Sequence, residues 1–283
     1  MRPESYQYLA QLVHERSGLV ISDDKTYLLE SRLLPISRTE GLETIDELVA
    51  KLRQPSSEAL REAVTEAMTT NESFFFRDKK PFEAFEEIIL PYLLKTRRNS
   101  FRIWCAAAST GQEPYSLSMC LKEAQAKLTG WRTEILGTDL SADVLRRAKQ
   151  GRYSQFEVQR GLPIQMLVKY FTQIGQDWEI SSDIRSMVNY RKLNLLDDFT
   201  ALGTFDVIFC RNVLIYFDQA AKKAILDRMA KRMSPDGFLV LGAAETVIGI
   251  TDAFKPLKGQ RGLYVPAALA DQGVVSPAGV AVA

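Results

Sequence analysis

The feature that most constrains the fold is a change of pattern near residue 100. Before that point, apolar residues recur at helical spacing and no strand-like run occurs. After it, short apolar runs alternate with helix-like segments. Such alternation predicts parallel strands that are joined by right-handed crossover helices. We therefore predict an α/β architecture, with an all-helical N-terminal domain followed by a doubly wound sheet, within a chain of 283 residues.

Punctuating residues divide the helical region into four segments. Gly18 is expected to end the first helix, and the Ser22–Asp24 stretch could cap the second. Pro35 is expected to kink or end that second helix. Thr44 begins a sequence that resembles a capping box, and Pro55 opens the fourth segment.

The second half contains strand-like runs that are separated by helical patterns. The predicted strands lie at 101–108, 134–139, 187–195, 205–210 and 238–242, with a closing antiparallel strand or hairpin in 257–265. Residues 152–186 interrupt the alternation, because the Gly175–Asp177 turn signal beside an alternating Trp178–Ile180 run predicts a small antiparallel insertion.

These patterns give the domain organisation. We predict a helical domain at 1–76, a helical linker at 77–99, the α/β domain at 100–266 with its insertion at about 152–186, and a disordered tail at 267–283.

Composition excludes several classes of protein. Lys+Arg 36 against Asp+Glu 35 leaves a net charge of +1, which argues against a dedicated nucleic-acid-binding protein. No apolar stretch is long enough for a transmembrane helix, and the N-terminus lacks the apolar core of a signal peptide. We therefore expect a cytoplasmic protein that does not insert into membranes.

Scarce residue types exclude further chemistry. The three cysteines, Cys105, Cys120 and Cys210, have no CxxC spacing, so neither a metal site nor a disulfide framework is expected. His14 is the single histidine and is interpreted as a surface or packing residue, with a general base as the alternative. Catalysis by a Ser-His-Asp or Cys-His arrangement is therefore not expected.

Ligands of open α/β sheets bind beyond the carboxyl ends of the strands. The small residues Ala106–Gly111, at and just after the end of the first predicted strand, lack both the dinucleotide and the phosphate-loop glycine patterns. Glu113 at the following helix start suits an ammonium or sulfonium ligand, although it could only complement the helix dipole. Asp139 after the next strand could accept hydrogen bonds from ribose hydroxyls, or could cap a helix. Together the two acids favour a cationic nucleoside such as S-adenosylmethionine.

Several blocks resemble one family. Asn71–Asp78 (NESFFFRD) resembles the N-E-T/S-x-F-F-R signature of the chemotaxis receptor methyltransferases, the CheR family. Further blocks that resemble the family, in its order, are WCAAASTGQEPYS from Trp104, GTDLSADVLRRAKQGRY from Gly137, FDVIFCRNVLIYF from Phe205 and LVLGAAE from Leu239. The resemblance covers nearly the whole chain to Val265. Ser73 stands where the family often has Thr, and Gln112 where it often has Glu.

The resemblance implies a Rossmann-like domain that transfers a methyl group from S-adenosylmethionine, leaving S-adenosylhomocysteine, to glutamate side chains of chemoreceptor cytoplasmic helices. It implies cofactor contacts from the linker, from the methionine-side and ribose-side acids, from the adenine-side segment and from the segment after the fourth strand. In that order these are Asn71, Ser73 and Arg77; Glu113 and Asp139; Asn194 and Leu195; and Arg211 and Asn212. Tyr216 matches a tyrosine near the transferred methyl group.

Methyl transfer to a carboxylate is an in-line displacement that needs no general base, since a free glutamate has a pKa of about 4.3. Arg97 or Arg98, just before the first strand, could pair with the substrate carboxylate, or could simply be solvated. Tyr216 could orient that carboxylate, or could be a packed aromatic at a strand end.

The resemblance also implies partners. Arg32, Arg38, Lys51 and Arg53 could form a face that docks the receptor helices, and the insertion of some family members binds a receptor tether by adding a strand. A regulatory adaptor is a further possible partner. The alternatives are a methyltransferase acting on RNA or a small molecule, and a cofactor-sensing module without turnover; we expect no nucleic-acid partner.

Overall fold

The computed structural model describes residues 1–22 and 25–270. The chain divides into two compact units. The N-terminal unit comprises Met1–Thr70 together with Tyr216–Ala221, and the α/β unit comprises Asn71–Ile215 and Lys222–Ala283. Within the described residues, no helix combines the length and apolarity that crossing a membrane requires.

Four helices build the N-terminal unit. They are α1 (Pro3–Ser17), α2 (Thr26–Thr39), α3 (Ile45–Leu52) and α4 (Glu58–Ala67). Their apolar faces form one core from Leu9, Leu12, Val13, Leu29, Leu33, Ile45, Leu48, Val49, Leu52, Leu60, Val64 and Met68. The strict helical spacing of these residues in the sequence is what allows four short helices to share that core.

Two of the predicted helix boundaries are confirmed. Gly18 ends α1 with a φ of 75°, and its N–H donates to the His14 carbonyl at 2.7 Å. The Thr44 hydroxyl accepts from the Glu47 N–H at 3.2 Å and caps α3.

Pro35 does not end α2, because the helix continues to Thr39, and that part of the prediction is wrong. Pro35 lies on the exposed face, where water can bond the carbonyl that its missing N–H leaves open. Of the proposed caps of α2, Asp23 and Asp24 lie outside the described residues, and the helix follows Lys25 without a side-chain cap.

A short segment from late in the chain completes the N-terminal unit. The Val20 N–H donates to the Tyr216 carbonyl at 2.9 Å, and Leu19 forms an isolated bridge with Phe217. His14 Nε2 lies 3.0 Å from Asp218 Oδ2, with both side chains about half exposed. The single histidine is therefore a surface residue that bonds one carboxylate, in agreement with its interpretation.

The α/β unit contains ten strands and nine α-helices within its described residues, counting α12, which begins in the other unit. The strands are β1 (Ser100–Cys105), β2 (Arg132–Asp139), β3 (Arg152–Ser154), β4 (Phe171–Ile174), β5 (Asp177–Ile180), β6 (Val188–Lys192), β7 (Phe205–Cys210), β8 (Met233–Leu241), β9 (Phe254–Pro256) and β10 (Leu263–Pro266). The helices are α5 (Lys80–Ala84), α6 (Leu90–Thr96), α7 (Gln112–Glu123), α8 (Ala142–Gln150), α9 (Gln155–Gln159), α10 (Ile164–Tyr170), α11 (Ser182–Arg185), α12 (Gln219–Ala230) and α13 (Ala267–Ala270). A π-helical turn, Phe85–Ile89, joins α5 to α6.

Seven strands form the main sheet in the order β6-β2-β1-β7-β8-β10-β9. The first five are parallel, and β10 runs antiparallel to both β8 and β9. Every residue of β7 is buried, as expected for a central strand covered on both faces. The predicted doubly wound sheet and its closing antiparallel strand are confirmed, and the chain reverses strand order between β1 and β7.

The predicted insertion is a separate antiparallel sheet in the order β3-β5-β4, accompanied by α9, α10 and α11.

The predicted start of the C-terminal tail, residue 267, is too early by at least four residues. Residues Ala267–Ala270 form α13, and Leu269 buries its side chain in the core of the α/β unit. The remaining residues of the expected tail, 271–283, lie outside the described residues.

Candidate active site

The site residues gather at the carboxyl edge of the parallel strands. The loop after β1 turns back on β2, where the Ala108 N–H donates to the Thr138 carbonyl at 2.9 Å. Gly111 then starts α7 with a φ of 96°, and a Cβ on it would lie 2.7 Å from the Tyr190 hydroxyl oxygen. Glycine is therefore required there by both backbone conformation and space.

Asp139 at the end of β2 holds that loop. Its Oδ2 accepts from the Ser109 N–H at 2.9 Å, and its Oδ1 accepts from the Ser141 N–H at 3.0 Å. The residue is half-buried. Asp139 therefore fixes the loop after β1, and it lies at the strand end where a nucleoside's ribose hydroxyls bind in open α/β folds.

Glu113 in the first turn of α7 is compensated by Arg211. Arg211 Nη1 donates to Glu113 Oε2 at 2.7 Å, and the Arg211 side chain is 1% exposed. Burial raises the pKa of the Glu113 carboxyl, while the Arg211 guanidinium opposes that rise. Burial also raises the pKa of the nearby Cys105 thiol well above its ordinary value. The cation beside Glu113 is thus a residue of the chain itself.

The segment Asn71–Asp78, which we call the signature segment, lies over this edge. The Ser109 hydroxyl donates to the Asn71 carbonyl at 2.8 Å, and the Phe76 N–H donates to the Ser116 hydroxyl at 3.0 Å. Arg211 Nη2 donates to the Arg77 carbonyl at 2.8 Å and to Asp78 Oδ2 at 2.7 Å. The segment is therefore bonded to the loop after β1, to α7 and to the residue that follows β7.

Side chains of the signature segment divide between core and surface. Phe75 and Phe76 are buried in the main core, whereas Phe74, Ser73 and Asn71 are half-buried. Arg77 Nη1 donates to the Glu72 carbonyl at 2.8 Å, while the Asp78 carboxylate bonds Arg211. The neighbouring residues Arg77 and Asp78 therefore bond different partners.

Glu245 is a residue of this edge that the sequence reasoning did not single out. Its Oε1 accepts from the N–H groups of Val213 and Leu214, at 2.9 and 2.7 Å. Its Oε2 accepts from the N–H groups of Asn212 and Gly242, at 2.8 and 2.7 Å. One buried carboxylate thus fixes the loop after β7, in which Asn212 has a φ of 58°. The signal that could have found it is the acid that ends the block LVLGAAE, four residues after the end of β8.

Asn194 and Leu195 lie in the loop after β6, beside β2 at the same edge. Asn194 Oδ1 accepts from the Leu196 N–H at 3.0 Å, and Leu195 is buried. The Leu195 carbonyl accepts from Arg228 Nη2 at 2.7 Å. This loop is therefore held by its own side chain and by α12.

The two arginines proposed for the substrate carboxylate are not brought to this edge. Arg97 precedes β1 at the amino ends of the strands, where it donates to Asp236 at 2.6 and 2.7 Å and to Asp206 at 2.6 Å. Arg98 is exposed at the same end. The prediction for both is corrected, because a residue just before a parallel strand lies at the edge opposite the ligand crevice.

Tyr216 and the proposed docking residues belong to the N-terminal unit. Tyr216 is half-buried in the segment that bonds Val20. Arg32 donates to the carbonyls of Met68 and Thr69, at 2.7 and 2.9 Å, and so stabilises the end of α4. Lys51 pairs with Glu40, Arg53 lies over the Tyr8 ring, and Arg38 is exposed.

The donor set fits S-adenosylmethionine. Asp139 is an acceptor at the strand end where ribose hydroxyls bind, and the Arg77 guanidinium can receive a carboxylate in bidentate fashion. Arg211 Nε is buried and has no hydrogen-bond partner within residues 1–22 and 25–270, so the edge retains an open donor. The same described residues contain no group of three or more His, Cys, Asp or Glu side chains that could hold a metal ion.

A seven-stranded doubly wound sheet that gathers these groups at its carboxyl edge is the architecture expected of an S-adenosylmethionine-dependent methyltransferase. Comparison with known families then identifies which kind. Residues 71–263 match the family model "CheR methyltransferase, SAM binding domain", and residues 4–69 match "CheR methyltransferase, all-alpha domain". The chain belongs to the CheR methyltransferase family.

Curated relatives agree over nearly the full length. The chain is 37% identical to the Chemotaxis protein methyltransferase Cher2 of Pseudomonas putida, covering 93% of this chain and 97% of that protein. It is 40% identical to Chemotaxis protein methyltransferase 1 of Pseudomonas aeruginosa, covering 91% and 96%. It is 36% identical to the Chemotaxis protein methyltransferase of Vibrio anguillarum, covering 92% and 95%.

Proposed function

We propose that this methyltransferase esterifies glutamate side chains on the cytoplasmic helices of chemoreceptors, and so acts in chemotaxis adaptation. The observation that carries the proposal is the position of the signature segment. Its backbone bonds Ser109 and Arg211 at the carboxyl edge, so the segment that resembles the family's signature lies at the ligand crevice. The curated relatives named chemotaxis protein methyltransferases support the same function.

The residues at this edge suggest how the cofactor is held. Asp139 receives the ribose hydroxyls, Arg77 receives the carboxylate, and the loops carrying Asn194 and Asn212 line the nucleoside. Asn71, Ser73, Leu195, Arg211 and Glu113 complete the contacts, with Glu113 acting through its pair with Arg211. When bound, the cofactor supplies an electrophilic methyl group on a cationic sulfur.

The chemistry proposed for the substrate needs alignment rather than proton transfer. A glutamate carboxylate is ionised at neutral pH, since its free pKa is about 4.3. The α/β unit contains no histidine, and the single histidine of the chain, His14, bonds Asp218. We assign Tyr216 the task of orienting the carboxylate. Alignment of this kind contributes roughly 7–11 kcal/mol in favourable model reactions.

The insertion offers a site for a receptor tether. In its sheet β5 is central, so β3 and β4 are edge strands, and Thr172–Ile174 of β4 is exposed. An extended peptide can add to such an edge through backbone hydrogen bonds. Since the proposed substrate helices are cytoplasmic, we place the enzyme in the cytoplasm.

Transfer of a labelled methyl group tests the proposal. The protein is incubated with methyl-labelled S-adenosylmethionine and a soluble fragment of a chemoreceptor helical bundle, in parallel with a fragment whose glutamates are replaced by glutamine. We expect label on the first fragment only, and release of that label as methanol in mild base, because an ester is base-labile. Base-stable label, or preferential labelling of added RNA, would overturn the glutamate assignment.

A matched pair of variants tests the site. Asp139→Ala should abolish transfer and S-adenosylhomocysteine binding, because it removes both the ligand acceptor and the anchor of the Ser109 N–H. Asp143→Ala removes an exposed acid of α8, four residues along, and should leave both unchanged. Binding by Asp139→Ala that equals the wild type would place the cofactor elsewhere.

A further inference from the structure

The insertion contacts the signature segment through Arg160 and Gly161. Arg160 Nη2 donates to Glu72 Oε1 at 2.5 Å, and the Arg160 guanidinium lies 4.3 Å from the centre of the Phe74 ring. Gly161 has a φ of 82°, and a Cβ on it would lie 2.1 Å from the Phe75 carbonyl oxygen. This turn of the insertion therefore packs directly on the backbone of the signature segment.

The same two residues that receive Arg160 also hold Arg77. Arg77 Nη1 donates to the Glu72 backbone carbonyl at 2.8 Å, and its guanidinium lies 5.5 Å from the centre of the Phe74 ring. Glu72 thus binds Arg77 with its backbone and Arg160 with its carboxylate, while both guanidinium groups lie over one ring. The Arg160 guanidinium, by hydrogen bond and charge, is the main cause of the lowered pKa of the Glu72 carboxyl.

We propose that Arg160 is a positioning residue for Arg77, so that the insertion sets the geometry of the cofactor site through Glu72 and Phe74. The proposal rests on the assignment of Arg77 to the cofactor carboxylate. A guanidinium must be held in plane to bond a carboxylate with two parallel N–H groups. The Glu72 carbonyl and the Phe74 ring supply that restraint, and Arg160 fixes both of them.

Reciprocity follows from this arrangement. If Arg160 improves the affinity of Arg77 for a ligand, then the bound ligand must stabilise the contacts of Arg160 by the same factor. Any partner that changes the position of the Arg160–Gly161 turn would alter cofactor affinity without touching the cofactor.

Calorimetric titration with S-adenosylhomocysteine tests the proposal on the full chain. Arg160→Ala should raise the Kd about threefold to tenfold, the effect of losing an exposed ion pair and a cation–π contact. Glu72→Gln should raise it similarly, and Arg160→Lys less, since it keeps the charge. The matched control is Arg152→Ala, which removes another exposed arginine of the insertion that pairs with Glu179 and not with the signature segment; its Kd should equal that of the wild type.

A double-mutant cycle separates positioning from general stabilisation. In an Arg77→Ala background, Arg160→Ala should have no further effect on the Kd, because the residue through which it acts is gone. Equal fold-changes in both backgrounds would overturn the role of Arg160 while leaving the proposed function intact. A wild-type Kd in Arg77→Ala itself would overturn both this inference and the assignment of Arg77 to the cofactor.

Discussion

Replacing Glu245 by glutamine tests how the carboxyl edge is built. The amide keeps one acceptor oxygen but places an NH₂ group where the other oxygen accepts two backbone N–H bonds. In either orientation, one buried donor, from Leu214 or Gly242, and one partly buried donor, from Val213 or Asn212, lose their acceptor. A buried donor left without a partner costs roughly 1–3 kcal/mol, so we expect a total loss of about 2–4 kcal/mol.

Hydrogen exchange measured by mass spectrometry locates that loss. A local loss of about 2 kcal/mol raises the open population roughly thirtyfold. We expect that acceleration in peptides covering 211–215 and 241–245, and no change in peptides from α1 to α4. Affinity for S-adenosylhomocysteine should fall as well, because the loop that carries Arg211 and Asn212 is no longer fixed.

Glu179→Gln is the matched control for this substitution. Glu179 pairs through its side chain with Arg152 and Arg185. Partly exposed pairs of this kind contribute about 0–1 kcal/mol. Unchanged exchange at 211–215 in Glu245→Gln would falsify the view that this carboxylate holds the loop.

Three further predictions concern the edges of the sheet. Arg97→Ala should destabilise the α/β unit by about 1–3 kcal/mol, because it leaves Asp206 and Asp236 without their half-buried cation. Urea unfolding measures this loss, whereas methyl-transfer assays should show an unchanged kcat for the folded enzyme, and a large fall in kcat would contradict the prediction. The bond from Arg97 lowers the pKa of Asp236, so the pair stabilises the fold above about pH 4 and loses that effect as the pH falls through the lowered pKa; urea unfolding between pH 3 and 6 should show this slope in the wild type and a flatter one in Arg97→Ala. Gly111→Ala should lower the free energy of unfolding by about 1–2 kcal/mol because of the left-handed backbone, and by more because the new Cβ approaches the Tyr190 hydroxyl. It should also weaken S-adenosylhomocysteine binding, and a melting temperature and affinity equal to those of the wild type would refute the prediction.

The fold was predictable wherever a local pattern decided the structure. Strands β1, β2 and β7 were found because each contains a short apolar run and is followed by a helical segment. The cap residues Gly18 and Thr44 act on their own backbone neighbours. Pro35 was misjudged because its effect depends on exposure, which the sequence does not show. The helical turn at 267–270 was missed because its small residues give no signal, although Leu269 finds a place in the core.

The candidate site was predictable only in part. Topology alone places Glu113, Asp139 and Asn212 at one edge, because the carboxyl ends of parallel strands meet there. The same rule, had it been applied to Arg97, would have placed that residue at the opposite edge. Glu245 and Arg160 were missed for a different reason. Three of the four N–H groups that bond Glu245 lie 31–33 positions away in the chain, and Glu72 lies 88 positions from Arg160.

The acids of this edge show why a correct cofactor class can follow from an incomplete argument. Glu113 suggested a cationic ligand on the premise that its carboxylate is free, yet Arg211 bonds it at 2.7 Å within a buried pair. Its charge is therefore already compensated within the chain. Asp139 accepts the backbone N–H groups of Ser109 and Ser141 and lies at the strand end where ribose hydroxyls bind in open α/β folds. An acid beside a ligand crevice indicates the charge of the ligand only after the cations of the chain itself have been assigned. Arg211 is that cation for Glu113, so the nucleoside interpretation depends on Asp139.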